Sequence, residues 1–233
     1  MLDSVPWFVA GAFILVTLLT LGLFHWAIRV PKTGWILISL WVALQSGLAY
    51  AGFYQMTDTV PPRFILVLLP AILVIALLFR SNRGKRWMAS ADVPQLTLLH
   101  IVRIPVELIL YQLFVYGTIP ELMTFAGRNF DILAGITAPL VYYFGYQKQW
   151  LSRSFILGWH IISLLLLANI VVHAILSIPS PFQQLAFDQP NIAILMFPFV
   201  LLPGLVVPIV LFSHLIALSL ERNPKIVTTL PQQ

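Results

Sequence analysis

Apolar residues along this chain fall into seven long blocks separated by short polar breaks. The blocks run over about 7–29, 35–55, 64–80, 94–117, 131–147, 155–178 and 192–220, each close to the length that crosses a bilayer as a helix. In lipid a helix satisfies its own backbone polar groups. The pattern therefore predicts an all-α membrane protein. It is a seven-transmembrane-helix bundle, a single domain over 1–222, with 223–233 a short cytoplasmic tail. No internal repeat and no low-complexity stretch interrupts it.

The polar breaks alternate in charge. Arg29 and Lys32 follow the first block. Arg80, Arg83, Lys85 and Arg86 follow the third, Lys148 and Arg153 the fifth, and Arg222 and Lys225 the seventh. The breaks on the other side hold only Arg63 and Arg128. By the positive-inside rule the N-terminus lies outside and the C-terminus in the cytoplasm. Trp7, Trp35, Trp87 and Trp150 sit near block ends, where interfacial aromatics belong. The first block has no basic stretch before it and is long, so it reads as a retained span and not a cleaved signal.

Composition sharpens this picture. Hydrophobic residues make up 60% of the chain and charged residues 9%, with a mean hydropathy of +0.93. Soluble chains carry about 25% charged residues. The net charge of +5 is accounted for by topology, so nucleic acid is not an expected partner; membrane lipids are, together with a small-molecule ligand. The absence of cysteine removes disulfides, iron–sulfur clusters, thiolate metal sites and thiol nucleophiles.

The fourth block, TLLHIVRIPVELILYQLFVYG, carries charge where a bilayer tolerates it least. At 100° per residue, Thr97, His100, Arg103, Glu107 and Tyr111 share one stripe. His100 and Glu107 are about 10 Å apart along the axis. A central Arg or Asp costs about 2.5–3.5 kcal/mol on insertion scales. The spacing of Arg103 and Glu107 permits an i, i+4 pair. The bland reading is a buried ion pair that fixes helix packing. The functional reading is a polar site at the bilayer midplane, with Glu107 titrating or holding a cation, Arg103 holding an anion or keeping Glu107 ionised, and His100 relaying protons. Pro105 frees a carbonyl near Ile101.

Other polar groups extend the set. Glu121, Arg128, Asn129 and Asp131 lie on an outward loop, and Asp188 lies on the next one, FQQLAFDQPN. Together they suggest an outer mouth, although Asn129 or Asp131 also suits a helix cap. Pro198, Pro203, Gly204 and Pro208 predict a kinked or broken seventh span with His214 near its cytoplasmic end. His25, His100, His160 and His214 share one depth. A metal or haem held by them is the weaker alternative, since no HxxxH, ExxxH or HExxH spacing is present; no cofactor and no metal is expected. A retinal Schiff base is excluded, because Lys32, Lys85, Lys148 and Lys225 all fall outside the blocks. No GxSxG supports serine hydrolase chemistry.

LLHIVRIPVELILYQLF, PELMTFAGRNFDILAGITAP, FQQLAFDQPNIA and FPFVLLPGLVVPIVLFSHL together resemble segments of a family of uncharacterised bacterial seven-span membrane proteins, over about residues 60–220. The resemblance implies a multi-pass protein of the bacterial inner membrane and carries no activity. The expected function is to bind or move a small solute or proton. The alternatives are a membrane-embedded enzyme acting on a lipid or quinone and a seven-helix sensor or assembly factor, whose best docking surface is the basic stretch at 79–88.

Overall fold

The computed structural model describes residues 5–222. The tail 223–233, with Lys225, lies outside them. The described residues form helices and turns, with no strand among them. The helices are α1 (Trp7–Ile28), α2 (Lys32–Tyr50), α3 (Ile65–Arg80), α4 (Asn82–Met88), α5 (Val93–Leu99), α6 (Arg103–Val115), α7 (Ile132–Val141), α8 (Arg153–Ser177) and α9 (Val207–Arg222).

Five of the continuous helical stretches are long and apolar enough to cross a membrane: Trp7–Ile28, Lys32–Tyr50, Val93–Val115, Arg153–Ser177 and Leu202–Arg222. A sixth exists if α3 and α4 are taken as one path, bent by 92° at Ser81. Ser81 caps α4, its Oγ accepting from Gly84 N at 2.9 Å. The apolar stretch at 131–147 is helical but short. After Asp131, 10 residues form α7, and the next 6, Tyr142–Gln147, form a wider π-helical turn.

At three places proline removes a backbone donor and disturbs the regular helical hydrogen bonding. Between α5 and α6 the chain tightens into a 3₁₀ turn, His100–Val102, just ahead of Pro105. The last apolar block forms a membrane-length helix only over Leu202–Arg222. Residues 192–200, expected to belong to it, fold instead into compact turns, and Leu202–Val206 is again π-helical. Pro208 leaves Gly204 O without its helical donor, and the Trp41 indole fills the gap at 2.8 Å. Pro70 does the same to Leu66 O, which accepts from Gln45 Nε2 at 3.3 Å. Both compensating side chains come from α2, a helix with few buried residues. The Tyr54 hydroxyl donates to Gln45 Oε1 at 2.6 Å and fixes that amide.

The core lies where α1, α5 and α9 pack together, with α8 against α9 and α7 against the turn at His100–Val102. Leu96, Leu99, Val102, Ile216 and Ala217 are fully buried there. The loop after α8 packs against the C-terminal end of α6. Its Gln189 amide donates to Phe114 O at 3.1 Å and also to Ile119 O.

Candidate functional site

Two clusters of polar side chains are buried inside this apolar bundle. The first is built around Arg103. Its Nε lies 3.2 Å from Asp131 Oδ2, and its two terminal nitrogens donate to Ser163 O at 3.3 Å. The ion pair is therefore with the start of α7 and not with Glu107 on the same helix. Glu107 Oε1 instead accepts from Asn129 Nδ2. The same amide nitrogen donates to Met123 O at 3.0 Å, and Asn129 Oδ1 accepts from Asp131 N at 3.0 Å. Every partner agrees with that orientation of the amide. All four residues are at most 5% exposed.

Local structure explains how the loop reaches so deep. At Gly127 a Cβ would lie 2.3 Å from Glu121 O, so only glycine permits the tight loop that drops Asn129 inward. At Gly135, one turn beyond Asp131, a Cβ would meet Ile104 N at 3.0 Å and Arg103 Cβ at 3.2 Å. Glycine thus lets α7 approach α6 closely enough for Asp131 to reach Arg103. Asp131 was expected as a possible cap, but its side chain makes no cap hydrogen bond; it is committed to Arg103.

Glu107 and Asp131 line one cavity of about 80 Å³ between α3, α6, α8 and the start of α9. The rest of its wall is apolar, with Val67, Leu110, Met123 and Leu167 among the lining residues. A water needs about 10–15 Å³ on this measure, so the space suits a few waters or a small ligand. Glu107 Oε2 and Asp131 Oδ1 are buried and have no hydrogen-bond partner.

The second cluster consists of histidines. His100, His160 and His214 come together from the α5–α6 junction, α8 and α9, and each is fully buried. His160 Nδ1 and His214 Nδ1 are 2.9 Å apart, a hydrogen bond in which one ring donates and the other accepts. His100 stacks on His214 with 3.7 Å between centroids and 13° between planes. Both His100 nitrogens and His214 Nε2 lack a hydrogen-bond partner. The three ligand atoms lie within 4.8 Å of one another. However, an imidazole binds a metal in its ring plane at about 2.1 Å. The His100 and His214 rings are stacked and nearly parallel, 13° between planes, so their in-plane lone pairs do not converge on one point and a shared ion requires one ring to turn. His25 is elsewhere, accepting from Val30 N at 3.0 Å and lying against Trp35.

The remaining sequence candidates stay outside both clusters. Tyr111 is half-buried and stacks on Phe125, 5.0 Å between centroids. Glu121, Arg128 and Asp188 are exposed. The outer mouth therefore divides: Asn129 and Asp131 join the buried site, and the other three remain at the surface. Pattern reasoning passed over Tyr146 and Glu221. Tyr146 sits in the wide turn after α7, for which a sequence gives no periodic signal. Glu221 had one, since it follows His214 by seven residues on a single helix face.

Residues 61–221 match the model of a family described as a domain of unknown function, DUF8737. The chain belongs to that family. No curated protein and no solved structure matches it. The DUF8737 stretch begins ahead of α3 and contains every residue of both clusters. α1 and α2 precede it.

Proposed function

We propose that this chain is a multi-pass protein of the bacterial inner membrane whose Arg103–Asp131–Glu107–Asn129 cluster binds, and passes on, a proton or a small cationic solute. One observation carries the reading. Two buried carboxylates line the same apolar cavity, each with an oxygen left without a partner, beside a single arginine. With all three groups ionised the cluster is one positive charge short of neutral. Uncompensated charge is costly at this depth. One proton or one bound cation removes the deficit. Arg103 is already engaged by Asp131 and Ser163, which argues against its holding an anionic ligand.

The membrane arrangement that goes with this reading has seven crossings and an outside N-terminus. The loop charges support it. α3 and the 132–147 segment are short, at 16 residues or about 24 Å each. Local thinning of the bilayer accommodates spans a few Å shorter than its core.

The test is flux in liposomes carrying purified protein. A cation or proton current should be present in the wild type and lost in Glu107→Gln, which keeps the shape of the side chain. Equal flux in the two proteins would overturn the reading.

A further inference from the structure

We infer that the species moved is the proton, and that His214, His160, Thr97, Tyr146 and Glu221 form its path between the buried site and the basic end of the bundle. The inference rests on the reading of the Glu107 site given above and names its substrate.

The path is a continuous file of hydrogen-bonding groups. From His214 Nδ1 the next atom is His160 Nδ1, at 2.9 Å. His160 Nε2 lies 3.3 Å from Thr97 Oγ1. Thr97 Oγ1 is 3.3 Å from the Tyr146 hydroxyl. Tyr146 donates to Glu221 Oε1 at 3.4 Å. No single element builds the file. Its members come from α9, α8, α5 and the turn after α7, and α9 supplies both ends, about 10 Å apart along its axis.

The donor order is self-consistent in one direction. His214 Nδ1–H donates to His160 Nδ1, and His160 Nε2–H donates to Thr97. Thr97 donates to Tyr146, and Tyr146 donates to the Glu221 carboxylate, a pure acceptor. A proton arriving at His214 Nε2 is balanced by a proton leaving Tyr146 for Glu221. At each link one N–H or O–H bond breaks as the next forms, and no other reactant is consumed. Hydroxyl rotation and a return of the imidazole tautomers reset the file. Thr97 also reaches Val93 O at 3.0 Å, a resting acceptor for its hydrogen between passages.

The Glu221 end is suited to exchange with water, and the His214 end faces the buried site. Glu221 pairs with Arg153 at 3.4 Å, and the Arg153 side chain is 46% exposed, so the outer end meets water. At the inner end His214 Nε2 and both nitrogens of His100 are buried without a partner. One helical turn beyond His100 stands Arg103, paired with Asp131. Thr97, His160 and His214 are 0% exposed. A hydrogen-bonded file so enclosed admits a proton, which needs no space of its own, and bars a hydrated ion.

The decisive experiment uses full-length protein in liposomes with an internal pH dye and a potassium diffusion potential set by valinomycin. Wild type should acidify the interior. Thr97→Val and Tyr146→Phe, each checked for folding by circular dichroism and gel filtration, should slow it by about tenfold or more, the expected cost of losing one proton-transfer group. Thr97→Ser should restore most of the rate, which a merely structural role for the threonine would not require. If both variants conduct like wild type while Glu107→Gln does not, the file is wrong and the Glu107 site stands. If the wild type passes sodium but not protons, and Glu107→Gln stops the sodium, the proton assignment fails and the site again stands. If Glu107→Gln changes nothing, the site fails and the inference with it.

Discussion

The Arg103 guanidinium and the Asp131 carboxylate meet 3.2 Å apart, at the point where α7 begins beside α6, and both are shut away from solvent. Among the described residues Arg103 is the one cation beside the two buried acids. Replacing it with leucine leaves Asp131 and Glu107 without a counter-charge, at a cost of about 3–5 kcal/mol for a broken buried pair. Adding Asp131→Leu removes one of the stranded acids, and the double variant should recover part of the loss. Thermal melting in mild detergent, read as a double-mutant cycle, checks the expected coupling. Additive losses would mean that the pair contributes nothing as a pair.

The same contact depends on a missing side chain. A Cβ at Gly135 would lie 2.9 Å from Ile104 Cγ1 and 3.0 Å from its backbone nitrogen. The backbone atom cannot swing aside, so Gly135→Ala must push α7 away from α6. Overpacking of this kind costs about 1–3 kcal/mol. Because the displacement lengthens the Arg103–Asp131 contact, flux should fall along with melting temperature. By contrast, Gly11→Ala, where a Cβ would meet nothing within 4 Å, should change neither.

The Trp41 indole donates to Gly204 O at 2.8 Å, the carbonyl that Pro208 orphans. Trp41→Phe leaves that carbonyl unpaired at a cost of about 1–3 kcal/mol. Pro208→Ala returns a backbone N–H to the same acceptor. The double variant Trp41→Phe/Pro208→Ala should therefore be more stable than Trp41→Phe alone by detergent melting. A loss in the double as large as in the single would show that the indole acts through packing alone.

Most helix positions were readable because a long apolar block satisfies its backbone most cheaply as a helix, but residues 192–200 of the last block form turns. Helical periodicity puts Thr97, His100, Arg103, Glu107 and Tyr111 on one stripe, of which Tyr111 stays outside the buried clusters against Phe125. What the stripe could not supply was partners. Arg103 found Asp131 and not Glu107 because Gly135 allows α7 to come close, a fact about two helices that no spacing within one encodes. Asn129 has the sequence setting of a surface loop residue, yet the tight turn at Gly127 sends it to Glu107. The three histidines shared an expected depth, but which of the four would meet depended on the helix order around the bundle. That order left His25 out.

Orientation is open to a clean experiment because the chain has no native cysteine. Single cysteines at Arg83 and at Asp188 probe opposite ends of the bundle, one in the basic α4 and one in the exposed loop after α8. With the N-terminus outside, a membrane-impermeant maleimide applied to spheroplasts should label Asp188→Cys at once. Arg83→Cys should react only after the membrane is permeabilised. The result also fixes the sense of the proton file. Glu221 lies at the end that carries Arg80, Arg153 and Arg222, so labelling as expected places its exit in the cytoplasm. The opposite pattern would overturn the charge-based topology and make Glu221 the outward entrance.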